Sequence, residues 1–272
     1  MKTAIIGANG FLGVQLIHNL KQKGEGVLAV FNRNHSNIPS DVDAVSMQEF
    51  LRGNQPIDNI IFAAGSFRNS VSDNVKLNCE VLYPITEKYS HCKLVYISSS
   101  NVYGNHAETI KEDSCFENPT DYGKSKLSGE FIASKMRSHT IVRLVYLYGK
   151  GLENGSFLPF IINFAKSEKK MKLFGKGKRE QDYLHVEDAA ELCVKALFSE
   201  NNHIYLGATG DSTSNKKVAE IISEEIEGFG EIELPDQEEK APSFYFDASW
   251  TQKTLDWHPK KTIENGIKEM ML

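Results

Sequence analysis

The sequence predicts an α/β protein built on a doubly wound parallel sheet, with a smaller C-terminal region. Three observations predict it. Over residues 1–150, short apolar strands alternate with helical stretches. A glycine-punctuated turn links the first strand to the first helix. After Gly149 the chain is broken by Gly151, Gly155, Gly175 and Gly177 and its elements shorten, so residues 151–272 read as a second, partly interleaved region closing over the first.

Thr3-Ala4-Ile5-Ile6 is the first strand and runs into Gly7-Ala8-Asn9-Gly10-Phe11-Leu12-Gly13, a helix to about Lys23, and a second strand, Gly26 to Phe31. Strand, glycine turn, helix, strand is the arrangement in which a glycine motif carries meaning. Gly7 permits a tight turn, Gly10 admits a pyrophosphate to the backbone, and Gly13 lets helix and sheet approach. The backbone of Asn9, Gly10, Phe11 and Leu12 opens the helix, whose N-terminal N–H groups favour an anion. The spacing is GxxGxxG. The second strand ends in Asn32-Arg33 where an acidic residue would hold the adenosine ribose of NAD; Arg33 suits a 2′-phosphate, so NADP(H) is slightly favoured over NAD(H).

The next strand, Asp58 to Gly65, ends in small residues, Ala63 and Ala64, where a cofactor can lie against the backbone. A helix from about Ser72 to Ser90 follows, carrying Asn78 and an apolar stripe of Leu77, Val81, Leu82 and Ile85. Lys93 to Ser98 is a strand opening into Ser99-Ser100-Asn101-Val102-Tyr103-Gly104. Asp121 to Arg137 reads as a helix, and Thr140 to Val145 as a strand. On that helix Tyr122 and Lys126 are four apart and share a face. An ammonium beside a tyrosine lowers its pKa, normally about 10, and makes it a usable acid or base. Ligands of parallel sheets bind at the carboxyl ends of the strands, where Gly7, Ala63, Ser99 and the start of the Tyr122 helix all fall.

Beyond Gly149, Ser156 to Ser167, Glu187 to Phe198, Ser214 to Glu227 and Thr262 to Met270 read as helices. The 272 residues are 40% hydrophobic and 25% charged, ample for a core, and the net charge of -5 argues against a nucleic-acid-binding surface. Cys79, Cys92, Cys115 and Cys193 show no metal-ligand spacing and read as reduced thiols, with no metal expected. The chain opens directly on a strand and has no apolar run of about 18 residues, so a cytoplasmic protein without a membrane span is expected.

With these residues in place, the chain resembles the extended short-chain dehydrogenase/reductases, the nucleotide-sugar epimerase/dehydratase family. GxxGxxG, Ser-Ser-x-x-Val-Tyr-Gly and Tyr-Gly-Lys-Ser-Lys carry the resemblance, in family order and separation, and it runs on to Leu255-Asp256-Trp257-His258-Pro259. It implies a Rossmann-type fold over residues 1–150 and a substrate-binding region over 151–272. It implies Tyr122 as the acid/base at a sugar oxygen, Lys126 on the nicotinamide ribose, and Ser99 donating to the same oxygen. Asp182 to Asp188 resembles the family's motif at the start of a late helix, where His185 reads as a structural hydrogen bonder. A homodimer packed through the Tyr122 helix and the Ser72 to Ser90 helix is also implied.

Family dehydratases carry an Asp-Glu pair after the catalytic hydroxyl; here Ser100 and Asn101 stand there and cannot do carboxylate work. A 3,5-epimerase/reductase would place a cysteine at Asn101. What remains needs only Ser99, Tyr122 and Lys126: reduction of a 4-keto sugar nucleotide, or 4-epimerisation with tightly bound NAD. A non-catalytic NAD(P)-binding protein is the reading from another class. On the substrate side Tyr146 replaces the family's asparagine and Gln181 its arginine, with Arg179 expected on the same face as Gln181. A second family arginine aligns with Gln237, near Lys240.

Overall fold

The computed structural model describes residues 1–65, 67–199, 202–235, 237–238 and 241–272. In chain order its first half comprises β1 (Lys2–Ile6), α1 (Phe11–Gln22), β2 (Gly26–Phe31), β3 (Asp43–Ser46), α2 (Met47–Arg52), β4 (Asn59–Phe62), α3 (Val71–Val75), α4 (Leu82–Lys88), β5 (Lys93–Ser99), α5 (Asp121–Ala133) and β6 (His139–Leu144). The second half adds β7 (Tyr146–Tyr148), α6 (Phe157–Glu168), β8 (Met171–Lys172), β9 (Glu180–His185), α7 (Val186–Leu197), β10 (Ile204–Gly207), β11 (Ser212–Ser214), α8 (Asn215–Glu224), β12 (Ile232–Glu233), α9 (Ser249–Leu255) and α10 (Ile263–Met271).

Seven strands form one parallel sheet in the order β10-β6-β5-β4-β1-β2-β3. Alternate side chains of each strand enter opposite cores, as the two-residue period of a strand requires. Ile5, Ile61, Val95 and Ile97 meet α1 and α7 on one face. Ala4, Ile6, Ile60, Phe62, Leu94 and Tyr96 meet α4 and the end of α5 on the other. Covered on both faces, these strands are apolar at nearly every position. The sheet is therefore the doubly wound one that the alternation predicts. β10, from beyond residue 150, returns to pair with β6.

A third core, built on Leu158, Ile161, Ile162, Val218, Ile222 and Ile267, joins α6, α8 and α10 beside a three-stranded sheet β11-β9-β7. β9 leads straight into α7, and His185 at the junction accepts a hydrogen bond at Nδ1 from the Glu187 N–H at 3.4 Å. Among the described residues no helix is long and apolar enough to cross a membrane.

The structure corrects one expectation in the helices. The stretch expected as one helix over Ser72 to Ser90 contains a π-helical turn, Lys76–Val81, between α3 and α4. Pro84 has no N–H to close a bond onto Glu80, and a widened turn accommodates that gap. Of the two faces open to the apolar stripe, it takes the one toward the sheet: Leu82 and Ile85 are fully buried and Leu77 and Val81 pack on the same core. The outward face instead carries Val71, Val75 and Tyr83, beside Phe131 of α5, which is 76% exposed.

Candidate active site

The glycine turn is a close-packed cradle. Gly7 has φ +88, and a Cβ there would lie 2.8 Å from the Ala64 nitrogen. A Cβ on Gly13 would fall 2.2 Å from the Gly7 carbonyl oxygen. Gly7 and Ala8 both donate to the Val30 carbonyl, at 3.1 and 3.3 Å, fixing the turn onto β2. Gly10 caps α1 with no side-chain hydrogen bond, so the helix start is presented by backbone alone. Such a cradle fits a dinucleotide's pyrophosphate. Leu12 is buried in the core and Phe11 packs against it, so what they offer a ligand is backbone. Asn9 accepts from the Asn37 N–H at 2.8 Å and donates to Asn34, tying the turn to the loop after β2. Asn32 and Arg33 are exposed at the end of β2.

Across the sheet edge, α5 brings Tyr122 and Lys126 to the ends of β4 and β5. Thr120 caps the helix by accepting from the Gly123 N–H at 3.1 Å. Two glycines let the helix approach so closely. A Cβ on Gly123 would meet the Asn101 carbonyl oxygen at 2.2 Å, and one on Gly129 the Tyr96 hydroxyl at 2.1 Å. Lys126 is buried, and its ammonium donates to the Ile97 carbonyl at 3.0 Å and the Ala64 carbonyl at 3.4 Å. Its Nζ lies 5.1 Å from the Tyr96 ring centroid and 6.0 Å from that of Tyr122.

The expected lowering of the Tyr122 pKa is not what this geometry produces. Burial raises it to about 12. Burial lowers Lys126 to about 8, partly opposed by the Glu130 carboxylate. The lysine charge is directed at two carbonyls rather than at the phenol, and desolvation outweighs it.

Ser99, at the end of β5, is buried; its Oγ accepts from the Asn101 N–H at 3.2 Å and the Asn101 side-chain amide at 3.1 Å. A hydroxyl has two acceptor positions, so with both taken its own proton is left to donate. Ser100 is half-buried in the short turn that follows.

Beneath these residues lies a hydrogen-bonded layer of which the sequence had marked only Asn78. Glu130, a further turn along α5, pairs through both oxygens with Arg143 of β6, at 3.0 and 2.7 Å, and both are buried. Ser98 donates to the same carboxylate. Asn78, in the π-turn, accepts from the Tyr96 hydroxyl at 2.8 Å and donates to the Ser125 hydroxyl at 3.3 Å. The signal for Glu130 was its spacing of four from Lys126; nothing local marked its partner. Arg68, on the loop after β4, was also missed. It donates to the Gly155 carbonyl at 2.6 Å and so ties that loop to the segment before α6.

The substrate-side candidates form a separate group around β9 and β7. Tyr146 is half-buried with its ring 6.3 Å from that of Tyr183. Gln181 is corrected as a ligand-facing residue. It is buried, and its amide nitrogen donates to the Tyr183 hydroxyl at 2.7 Å and to Asn215 at 3.4 Å. Arg179 precedes β9, donates through Nε to the Pro242 carbonyl at 3.1 Å, and acts electrostatically on Tyr183. The Gln237 carbonyl accepts from the Gly175 N–H at 2.8 Å; Lys240 lies outside the described residues.

The chain shares 27% identity over 298 residues with a Methanocaldococcus jannaschii protein described as "Putative UDP-glucose 4-epimerase", covering 98% of this chain and 96% of that one. Its fold matches MoeE5 in complex with UDP-glucuronic acid and NAD, with a TM-score of 0.86 at 19% identity, over 100% of this chain and 98% of that one. It also matches the UDP-glucose 4-epimerase of Thermotoga maritima with UDP-glucose, with a TM-score of 0.85 at 20% identity, over 100% and 97%. The model of the NAD dependent epimerase/dehydratase family matches residues 3–207, three quarters of the chain, and the chain belongs to that family.

Proposed function

We propose that the protein is an NAD(P)-dependent 4-ketoreductase of a nucleotide-linked sugar, with Tyr122 and Ser99 addressing the carbonyl oxygen. One observation carries this reading: both acceptor positions of the Ser99 hydroxyl are filled by Asn101, which leaves Ser99 a donor. Reduction places charge on a carbonyl oxygen, and two donors aimed at it favour the transition state. Burial keeps the Tyr122 phenol protonated, so it can donate a hydrogen bond to the same oxygen. Asn101 and Ser100 stand where elimination would need carboxylates. The nicotinamide would supply the hydride, and Lys126, between the ends of β4 and β5, would hold its ribose.

Residues 1–150 then serve the cofactor and 151–272 largely the sugar nucleotide, with Arg179 and Tyr146 toward the substrate. A 4-epimerase with bound NAD is the second reading, favoured by the names of the relatives. Arg33, exposed where an acidic residue would select NAD, favours NADP(H). The outward face of Val75, Tyr83 and Phe131 favours a homodimer; Phe131→Asp should then reduce the mass measured by light scattering.

Denaturing the purified protein and identifying any released dinucleotide tests the assignment first. Stoichiometric NAD would overturn the reductase in favour of the epimerase. Protein stabilised by NADPH and turning over a 4-keto sugar nucleotide would support it.

A further inference from the structure

Behind the catalytic hydroxyl, the chain from Gly104 to Asn118 loops away from β5 and returns before Thr120, the cap of α5. Its two ends are tied by backbone. Glu117 donates to the Tyr103 carbonyl at 2.7 Å, and its own carbonyl accepts from the Asn105 N–H at 2.8 Å. Gly104, with φ +77, makes the approach possible, since a Cβ there would fall 1.9 Å from the Glu117 carbonyl oxygen. This frame brings three side chains of different chemistry together: His106, Cys115 and Glu117, whose donor atoms lie within 4.8 Å of one another.

The imidazole of His106 is 8% exposed and is held in one tautomer. Its Nε2 lies 2.7 Å from the Cys115 carbonyl oxygen, which can only accept, so Nε2 carries the proton. In the neutral ring Nδ1 is then the acceptor, and it lies 3.9 Å from Glu117 Oε1. The same Oε1 is 3.9 Å from Cys115 Sγ. Metal-bound histidines are oriented in this way, by donating the other ring N–H to a backbone carbonyl.

We propose that His106 Nδ1, Cys115 Sγ and Glu117 form a Zn²⁺-type metal site, with a fourth position open to water. Nitrogen, sulfur and oxygen donors together suit a borderline-soft cation. In a tetrahedral zinc site, donor atoms are separated by about 3.3–3.6 Å. The two 3.9 Å separations to Glu117 Oε1 need only a few tenths of an ångström of closure, whereas Cys115 Sγ, which lies 3.9 Å from Nε2, must swing toward Nδ1. Cys115 is exposed, and a rotation about χ1 would supply that movement. Binding takes the cysteine as thiolate and releases its proton to solvent, so uptake strengthens as pH rises. The metal would lock the two ends of the loop joining Ser99 to the Tyr122 helix. Sequence spacing did not reveal the site because His106 is nine positions from Cys115, and only the return of the loop brings them together.

The test uses the tag-free full chain, stripped with a chelator and titrated with Zn²⁺ and then Co²⁺. About one equivalent of Zn²⁺ should bind per chain, with a rise in thermal midpoint. Co²⁺ should give a near-ultraviolet thiolate-to-cobalt charge-transfer band. Cys115→Ser should lose the band, and His106→Gln should lose stoichiometric binding. Each variant should keep the wild-type circular dichroism spectrum, because neither side chain belongs to a hydrophobic core. Absence of the band from wild type, or its survival in Cys115→Ser, would overturn the site. Neither readout uses substrate or cofactor, so the result stands apart from the proposed reaction.

Discussion

Asn101 donates twice to Ser99, through its backbone N–H at 3.2 Å and its side-chain amide at 3.1 Å. This makes Asn101 a positioning residue for the hydroxyl proposed to meet the substrate oxygen, and the two donors differ in what a substitution removes. Asn101→Ala keeps the backbone donor and should lower kcat only a few-fold. Asn101→Asp puts an acceptor beside Ser99 and turns the hydroxyl proton away from the substrate. Losing one donor to a developing oxyanion costs about 10²–10³-fold in kcat. Steady-state kinetics on a 4-keto sugar nucleotide should therefore show the aspartate as the far worse variant, with KM little changed. Equal effects would argue against an oriented donor.

Lys126 is a buried cation with a pKa near 8, against 10.5 in an unfolded chain. Between those values the unfolded state binds more protons, so this group's contribution to stability rises with pH across that window. Below it, the buried charge costs about 3 kcal/mol. Its bonds to Ile97 and Ala64 are lost in Lys126→Met, and leaving those carbonyls unpaired returns about 1–2 kcal/mol of that. The variant should thus be inactive yet as stable as wild type at pH 7, or slightly more so, in urea unfolding. Its advantage should vanish between pH 8 and 10.5. Turnover by wild type should fall as pH rises through about 8, where the ammonium is lost.

Arg33 tests cofactor choice. A charge-assisted hydrogen bond contributes about 1.5–3 kcal/mol, or roughly 10–100-fold in affinity. Arg33→Asp should raise the Kd for NADPH by about that factor and leave NADH unchanged or tighter. A variant that binds both as wild type does would remove Arg33 from the site.

Much of this was legible in the chain because the signals are local. The strand-turn-helix around Gly7 to Gly13 and the four-residue spacing of Tyr122 and Lys126 need no tertiary information. The fold class followed from apolar runs that a sheet covered on both faces imposes. What was not legible depends on partners far apart in sequence. Asn78, in the π-turn, meets Tyr96 and Ser125, partners 18 and 47 positions away. Gly123 and Gly129 look like poor helix residues until Asn101 and Tyr96 are placed against them. The tyrosine pKa was misjudged because spacing on a helix fixes which face a lysine occupies, not where its ammonium points.

The pair of Glu130 and Arg143 joins stability to the site, and the two effects can be separated. Both residues are buried and bonded through two contacts, so removing one leaves the other uncompensated, at a cost of about 3–5 kcal/mol. Arg143→Met should show that loss in urea unfolding. Replacing both, as Glu130→Leu with Arg143→Met, removes the unpaired charge and should recover most of it. Activity should not recover in parallel. The Glu130 carboxylate is the group that opposes the desolvation of Lys126, so without it the lysine pKa falls below about 8. The alkaline limb of the pH–rate profile should move to lower pH in the double variant even where the fold is restored. A double variant with wild-type stability and an unshifted limb would show that Glu130 serves packing alone.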